Sequence, residues 1–176
     1  DVGEENLGLS PEDRQTLAQN VNVVIHSAAT LDFQASLKPT VLINLLGTRR
    51  VMELSQEMKN LTSMVHISSA YVNSFLLETD EVLYPAPENA EKVIQLVKDN
   101  TEEELEKITP GLIKDHPNTY TFTKHLAEHE VSKCAAKFPC GIVRPSMITA
   151  AWHEPTPGWT ISKNGPQGFL MGASKG

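Results

Sequence analysis

Apolar positions along the chain change period several times, and each change marks an element. VNVVIHSAA, residues 21–29, is a β-rich run that closes on small residues and reads as a buried strand. LKPTVLINLLGTRRVMELSQEMKN, 37–60, carries the three-and-four spacing of a long amphipathic helix, with Pro39 near its start. Gly47 sits inside it at a cost of about 1 kcal/mol relative to Ala, so close packing against a neighbour is expected there. SMVHISSAYV, 63–72, is a second strand that ends in hydroxyls, and CGIVRPSMI, 140–148, a third. LSPEDRQTLAQN opens a helix with Ser10 as cap, Pro11 at the first position and Asp13 completing a capping box. PENAEKVIQLVKDN and TEEELEKITPG read as two short surface helices, the first with Val93, Leu96 and Val97 on a narrow apolar face, the second boxed by Thr101 and Glu104. From Trp152 the tail is loop-like, with Pro155, Pro157, Pro166 and five of the ten glycines.

The order is helix, strand, helix, strand, excursion, helix, strand. That alternation predicts an α/β fold, a parallel sheet covered by helices, with ligands bound beyond the carboxyl ends of the strands. HSAAT, HISSAY and RPSMIT fall at those ends and line one rim.

The helix before the third strand has an unusual stripe. In NTYTFTKHLAEHEV, 118–131, Asn118 or Thr119 caps the first turn, and Ala127, Val131, Cys134, Ala135 and Phe138 continue one apolar face up to Pro139. Extended backwards, that face opens with Lys124 and Tyr120, one turn apart. Lysine is rarely buried without a partner. A bare Y-x-x-x-K arises often by chance, with the lysine snorkelling to water. Here a hydroxyl-ended strand precedes it, and an Ala28–Ala29 strand end lies further back. An ammonium beside a tyrosine favours the phenolate and brings the phenol nearer the working pH. A serine from Ser68–Ser69 can hold a substrate oxygen, and small residues let a flat cofactor lie close to the backbone. The set suits a carbonyl that gains or loses a proton as hydride moves.

Charge narrows the picture further. The net charge is −7. The stretch from Glu78 to Lys107, with ten acidic and three basic residues, accounts for all of it. No basic patch points to nucleic acid. Cys134 and Cys140 are too few for a disulfide framework and read as two buried free thiols. No apolar run is long enough to span a bilayer.

The motifs together resemble a known family. NVNVVIHSAATLDF, INLLGTRRVMEL, VHISSAYVN, HPNTYTFTKHLAE, IVRPSMITAAWHEPTPGW and NGPQGFLMGASKG are similar, in this order, to the extended short-chain dehydrogenase/reductases, and within them to insect-type fatty acyl-CoA reductases. The resemblance implies a partial Rossmann-type doubly wound sheet over 1–176, lacking the first Gly-rich βα unit, with 78–116 an acidic insertion and 152–176 a substrate-side tail. It implies that Tyr120 is the general acid, that Lys124 lowers its pKa and holds the nicotinamide ribose, that Ser69 is the catalytic hydroxyl, and that Asn44 supports the site. It places Asp1 and Val2 near adenine, Ser27, Ala28 and Ala29 along the cofactor, and Arg144, Pro145 and Ser146 near nicotinamide and substrate. It implies NADPH as cofactor and long-chain fatty acyl-CoA as substrate, reduced to a primary alcohol with release of coenzyme A. Asp1 with no methionine before it, the end in MGASKG and the missing glycine-rich turn read as the middle of a longer intracellular protein. Attachment of that protein to endoplasmic reticulum or peroxisome would belong to other parts of it. Alone, the segment is expected to bind NADPH poorly. Oligomeric state is left open.

Other motifs carry different readings. HLAEH, His125–His129, matches an inverted zinc-protease pattern, but both histidines lie off the apolar stripe and no third ligand is evident, so a solvated face without metal is expected. His26 and His66 read as packed, hydrogen-bonded strand histidines. GASKG lacks phosphate-loop spacing. The acidic excursion reads as solvated surface, or as a control on acyl-chain access. Trp152 and Trp159 could line a lipid path or pin the loop. The rival readings are another extended reductase or epimerase, acting on a sterol or nucleotide sugar, and a non-catalytic binding fragment.

Overall fold

A computed structural model of the chain describes residues 1–163 and 165–175. They fall into two units, Asp1–Arg144 and Pro145–Gly176. In the first, β1 (Val23–His26), β2 (Ser63–Ile67) and β3 (Cys140–Val143) form a parallel sheet in the order β1-β2-β3. Register aligns His26 with His66 and Ile67 with Val143, so the three strands end at one level. That shared level is the rim expected from the alternating pattern.

α1 (Pro11–Asn20) begins as its cap residues require, with the Asp13 amide donating to Ser10 Oγ at 3.1 Å. Between β1 and β2 runs one helical rod: α2 (Leu37–Thr40), a π-helical turn (Val41–Leu45) and α3 (Leu46–Glu57). Gly47 is tightly packed, since a Cβ there would meet Val2 at 3.0 Å.

The excursion holds α4 (Ala90–Asp99) and α5 (Glu102–Ile113), the latter opened by a complete Thr101–Glu104 capping box. They are not surface appendages. Val93, Ile94, Val97, Leu105 and Leu112 join Leu37, Val41, Leu45, Phe122 and Leu126 in the larger core cluster. Their acidic faces point outward while their apolar faces complete the core, so the charge count misled about the packing. Arg49 of α3 ties the layers by pairing with Glu91 of α4 and with Glu130.

α6 (Thr119–Ser132) is therefore enclosed on both sides, with twelve of its fourteen residues buried. Asn118 is its cap, accepting from the Thr121 amide at 2.9 Å. The regular helix ends at Ser132, earlier than the stripe predicts. Val131 and Cys134 continue the face into a second cluster with Met52 and Met64. His125 is buried, which overturns the expected solvated face: the excursion covers the side that helical spacing left facing outward. The Nε2 atoms of His125 and His129 approach the Tyr84 carbonyl at 3.4 and 2.9 Å.

The second unit contains α7 (Gly165–Ala173), so the tail is not loop throughout. A turn joins Ala151 to Trp159, whose carbonyl accepts the Ala151 amide at 2.8 Å. Asn164 and Gly176, part of the quoted tail motif, lie outside the described residues. Among the described residues no helix is long and apolar enough to cross a membrane.

Candidate active site

The site forms where α6 starts and β2 stops. Capping by Asn118 fixes the first turn of α6, and the helical period then aims Tyr120 and Lys124 at the strand end. Ser69 lies two residues past β2, and its hydroxyl acts on the Tyr120 phenol, easing its proton off. Its hydroxyl also accepts the Tyr71 amide at 3.2 Å, which holds it in a short turn. Lys124 is only 2% exposed, so it does not snorkel. Its ammonium donates to the Ile67 carbonyl at 2.6 Å and reaches His66 Nε2 at 3.4 Å. Ser69, Tyr120 and Lys124, chosen from sequence alone, are thus brought together.

Their electrostatics differ in part from expectation. Burial holds the Tyr120 phenol above its ordinary pKa, and the hydrogen bond with Ser69 pulls it back down. Burial pushes Lys124 down to about 8, opposed by the Glu128 carboxylate one turn on. The ammonium is engaged by the β2 backbone rather than by the phenol. Burial and the Lys124 charge also keep His66 neutral, down to about 2, and His26 neutral, down to about 4.

Asn44 stands behind this pair. It lies in the π-helical turn, a widening common at functional sites. Its Oδ1 accepts the Thr30 amide at 3.0 Å, and its Nδ2 donates to Thr123 Oγ1 at 3.1 Å. One side chain thereby joins the loop after β1 to α6. The Thr48 hydroxyl donates to the Asn44 carbonyl at 2.7 Å, which leaves its oxygen to accept from His26 Nε2 at 2.9 Å. Both strand histidines are packed, as the sequence suggests, and bonded through Nε2, while His66 Nδ1 is buried without a partner.

The loop after β1 leaves Ser27 and Ala28 exposed, an open run without bulky side chains. Val2 packs on Gly47, and its carbonyl accepts from Arg50 at 2.9 Å. Arg144 directly follows β3. Its guanidinium turns onto the fully buried Glu128, at 2.8 Å from Nε and 2.7 Å from Nη2. Pro145 and Ser146 belong to the second unit.

Sequence reasoning missed two residues. Phe33 stands edge-on to Tyr120, ring centroids 5.0 Å apart and planes at 86°. In the sequence Glu128 stands out only as part of the HLAEH pattern. Its position at i+4 from Lys124 on the same stripe was the available signal. No group of three metal-ligating side chains occurs among the described residues.

Comparison with known proteins fits this geometry. Residues 1–176 match the NAD-binding family described as male sterility protein. The chain is 70% identical over 176 residues to a putative fatty acyl-CoA reductase of Drosophila melanogaster. It is 40% identical over the same length to fatty acyl-CoA reductase 1 of Homo sapiens. It covers 34% of each of these relatives, about a third of their length. Among solved structures, a thiolation-reductase di-domain of an archaeal non-ribosomal peptide synthetase aligns with a TM-score of 0.60 at 21% identity, covering 99% of this chain and 40% of that one. The UDP-glucuronic acid 4-epimerase of Bacillus cereus aligns with a TM-score of 0.54 at 20% identity, covering 84% of this chain and 38% of that one. The structural likenesses speak for the fold, the sequence matches for descent: the chain belongs to the male sterility family of NAD-binding domains, built on the extended short-chain dehydrogenase/reductase fold.

Proposed function

We propose that this chain is the catalytic core of an NADPH-dependent fatty acyl-CoA reductase that converts long-chain fatty acyl-CoA to a primary alcohol and releases coenzyme A. The observation that carries the reading is the meeting of Ser69, Tyr120 and Lys124 at the end of β2. The names of the relatives support the substrate class.

A nicotinamide dinucleotide supplies hydride when bound. The exposed run at Ser27 and Ala28 fits its approach to the backbone, and Lys124 and Tyr120 offer hydroxyl-binding donors beside it. Arg144 is assigned no contact with it, because its guanidinium is held by Glu128. Ser69 and Tyr120 hold the thioester carbonyl oxygen by hydrogen bonds. As hydride reaches that carbon, the oxygen gains negative charge, which the two donors stabilise. Collapse of the resulting hemithioacetal expels the CoA thiolate and leaves an aldehyde. A second hydride reduces the aldehyde, and Tyr120 delivers the proton that makes the alcohol. Two hydrides and two protons thus give one alcohol and one thiol. Ser69 eases loss of the phenolic proton, while Lys124 holds the backbone at the end of β2.

The test uses the full-length protein, NADPH and a mixture of long-chain acyl-CoAs, with extracted lipids identified by mass. Primary alcohols are expected, and Tyr120→Phe should remove them while leaving the fold intact. Intact acyl-CoA beside tightly bound NADPH would overturn the substrate reading.

A further inference from the structure

The seam between α6 and β2 contains more than the reaction uses. Tyr120, Lys124 and Glu128 follow one another at single-turn spacing along the strand end. Lys124 holds the Ile67 carbonyl at 2.6 Å, Glu128 accepts from Ser68 Oγ at 2.6 Å, and the next residue, Ser69, acts on the Tyr120 phenol. Glu128 is fully buried, and a carboxylate removed from water requires several donors. Ser68 gives one and Arg144 gives two. Arg144 stands immediately after β3, and its guanidinium also reaches the carbonyls of Asp80 at 3.4 Å and Val82 at 2.9 Å. The next alternate carbonyl, Tyr84, takes the histidine contacts of α6. Residues 80–84 are therefore held by every second carbonyl, two on Arg144 and one on the α6 histidines. The strap walls a cavity of about 780 Å³, with Val131, Ala135 and Ile142 also lining it.

We propose that Glu128 and Arg144 are positioning residues: their buried pair sets the Ile67–Ser69 backbone against Tyr120 and Lys124 and ties the 80–84 strap to the same rim. This rests on the reading of Tyr120 and Lys124 as the reacting pair. Both charges act through other groups. The charged and titratable groups around Lys124 are His66 of β2, His26 of β1, Tyr120 and Glu128 of α6, and Arg144 after β3. Of these, Glu128 favours the protonated lysine, so its neutralisation moves the alkaline limb of the rate profile to lower pH.

The experiment compares full-length wild type with Glu128→Gln, Arg144→Lys and the double variant Glu128→Leu/Arg144→Met. The double variant leaves no lone buried charge and keeps the fold accessible. Readouts are kcat and KM across pH, NADPH affinity by fluorescence, and amide hydrogen exchange in peptides covering 64–70 and 79–85. Glu128→Gln should lower kcat about tenfold or more with a smaller change in KM, shift the alkaline limb down, and speed exchange in both peptides. Arg144→Lys, which keeps the charge but not the fork, should loosen 79–85 most. The double variant should fold and keep the kinetic defect. If it regains wild-type kcat and pH profile, or if exchange is unchanged in both peptides of Glu128→Gln, the inference fails. Should wild type not reduce acyl-CoA, the proposed reaction falls. NADPH affinity and exchange then decide the positioning claim, which requires weaker binding and faster exchange in Glu128→Gln.

Discussion

Tyr120 is under two opposed influences, burial that holds its proton on and Ser69 that eases it off. Phe33 contributes to the first by covering the ring edge-on. Phe33→Ala should therefore lower the Tyr120 pKa, as ultraviolet titration of the full-length variant and its Tyr120→Phe control will show; an aromatic pair of this kind contributes about 0.5–1.5 kcal/mol. An unmoved phenol titration would leave Phe33 as packing only. Asn44 offers a second test at this scale. Asn44→Leu leaves the Thr30 amide and Thr123 hydroxyl without their partner, at a cost of about 1–3 kcal/mol for a buried polar group left unsatisfied. The expected result is a lower melting temperature together with reduced turnover, because the loop after β1 loses its tie to α6. The Tyr–Lys–Ser set was legible from residue types and strand-end placement. Phe33 was not, because the loop folds back through contacts such as the Thr119 hydroxyl on the Ala35 carbonyl at 2.8 Å.

At the scale of elements, the acidic excursion is the chief surprise. Its helices were readable, as were the Thr101 cap and the apolar face with Val93 and Val97. What they pack against was not, since a narrow apolar face on a charged helix is compatible with many partners. In the folded chain Leu105 is 1% exposed within the main cluster. Leu105→Ala should then cost about 2–5 kcal/mol in urea unfolding, as for a large-to-small core change. A loss near zero would return α5 to the surface. The same packing explains α6. A helix stripe predicted from one face cannot foresee a second layer on the other, and so His125 was misplaced. The excursion's contact with the rim through Asp80 and Val82 arises from the same enclosure.

Across the whole molecule, stability should depend on pH through the buried histidines. Burial pushes His26 and His116 from 6.5 down to about 4, and His66 down to about 2. Above pH 6.5 these rings are neutral folded and unfolded alike, so they add no pH dependence. As pH falls below 6.5 the unfolded chain takes up protons that the folded chain resists, and stability declines. The loss is about 1.4 kcal/mol per histidine per pH unit, ending near 4 for His26 and His116 and continuing toward 2 for His66. Denaturation midpoints at pH 7.5 and 5.5 should differ accordingly; equal midpoints would contradict neutral burial. Lys124 adds a second window of the same sign, in which stability rises from about 8 toward 10.5 as the buried ammonium is relieved of its charge.

The sequence by itself determined where the strands lie, though not the burial expected of β1, whose Val23 and Ile25 are exposed, together with the parallel α/β order, the caps and the placement of Tyr120 and Lys124 on one helix face. These depend on local period, backbone chemistry and the rule that strand ends gather on one edge. It also marked Gly47 as a close approach, because only a tight neighbour justifies glycine in that helix. Tertiary structure alone decided the rest. It turned Arg144 from the rim to Glu128, placed Lys124 on the β2 backbone, and folded an acidic surface stretch into the core. The physical reason is common to all three: a charge or an apolar face must find partners once water is excluded, and which partners are near is settled by packing between segments distant in the chain.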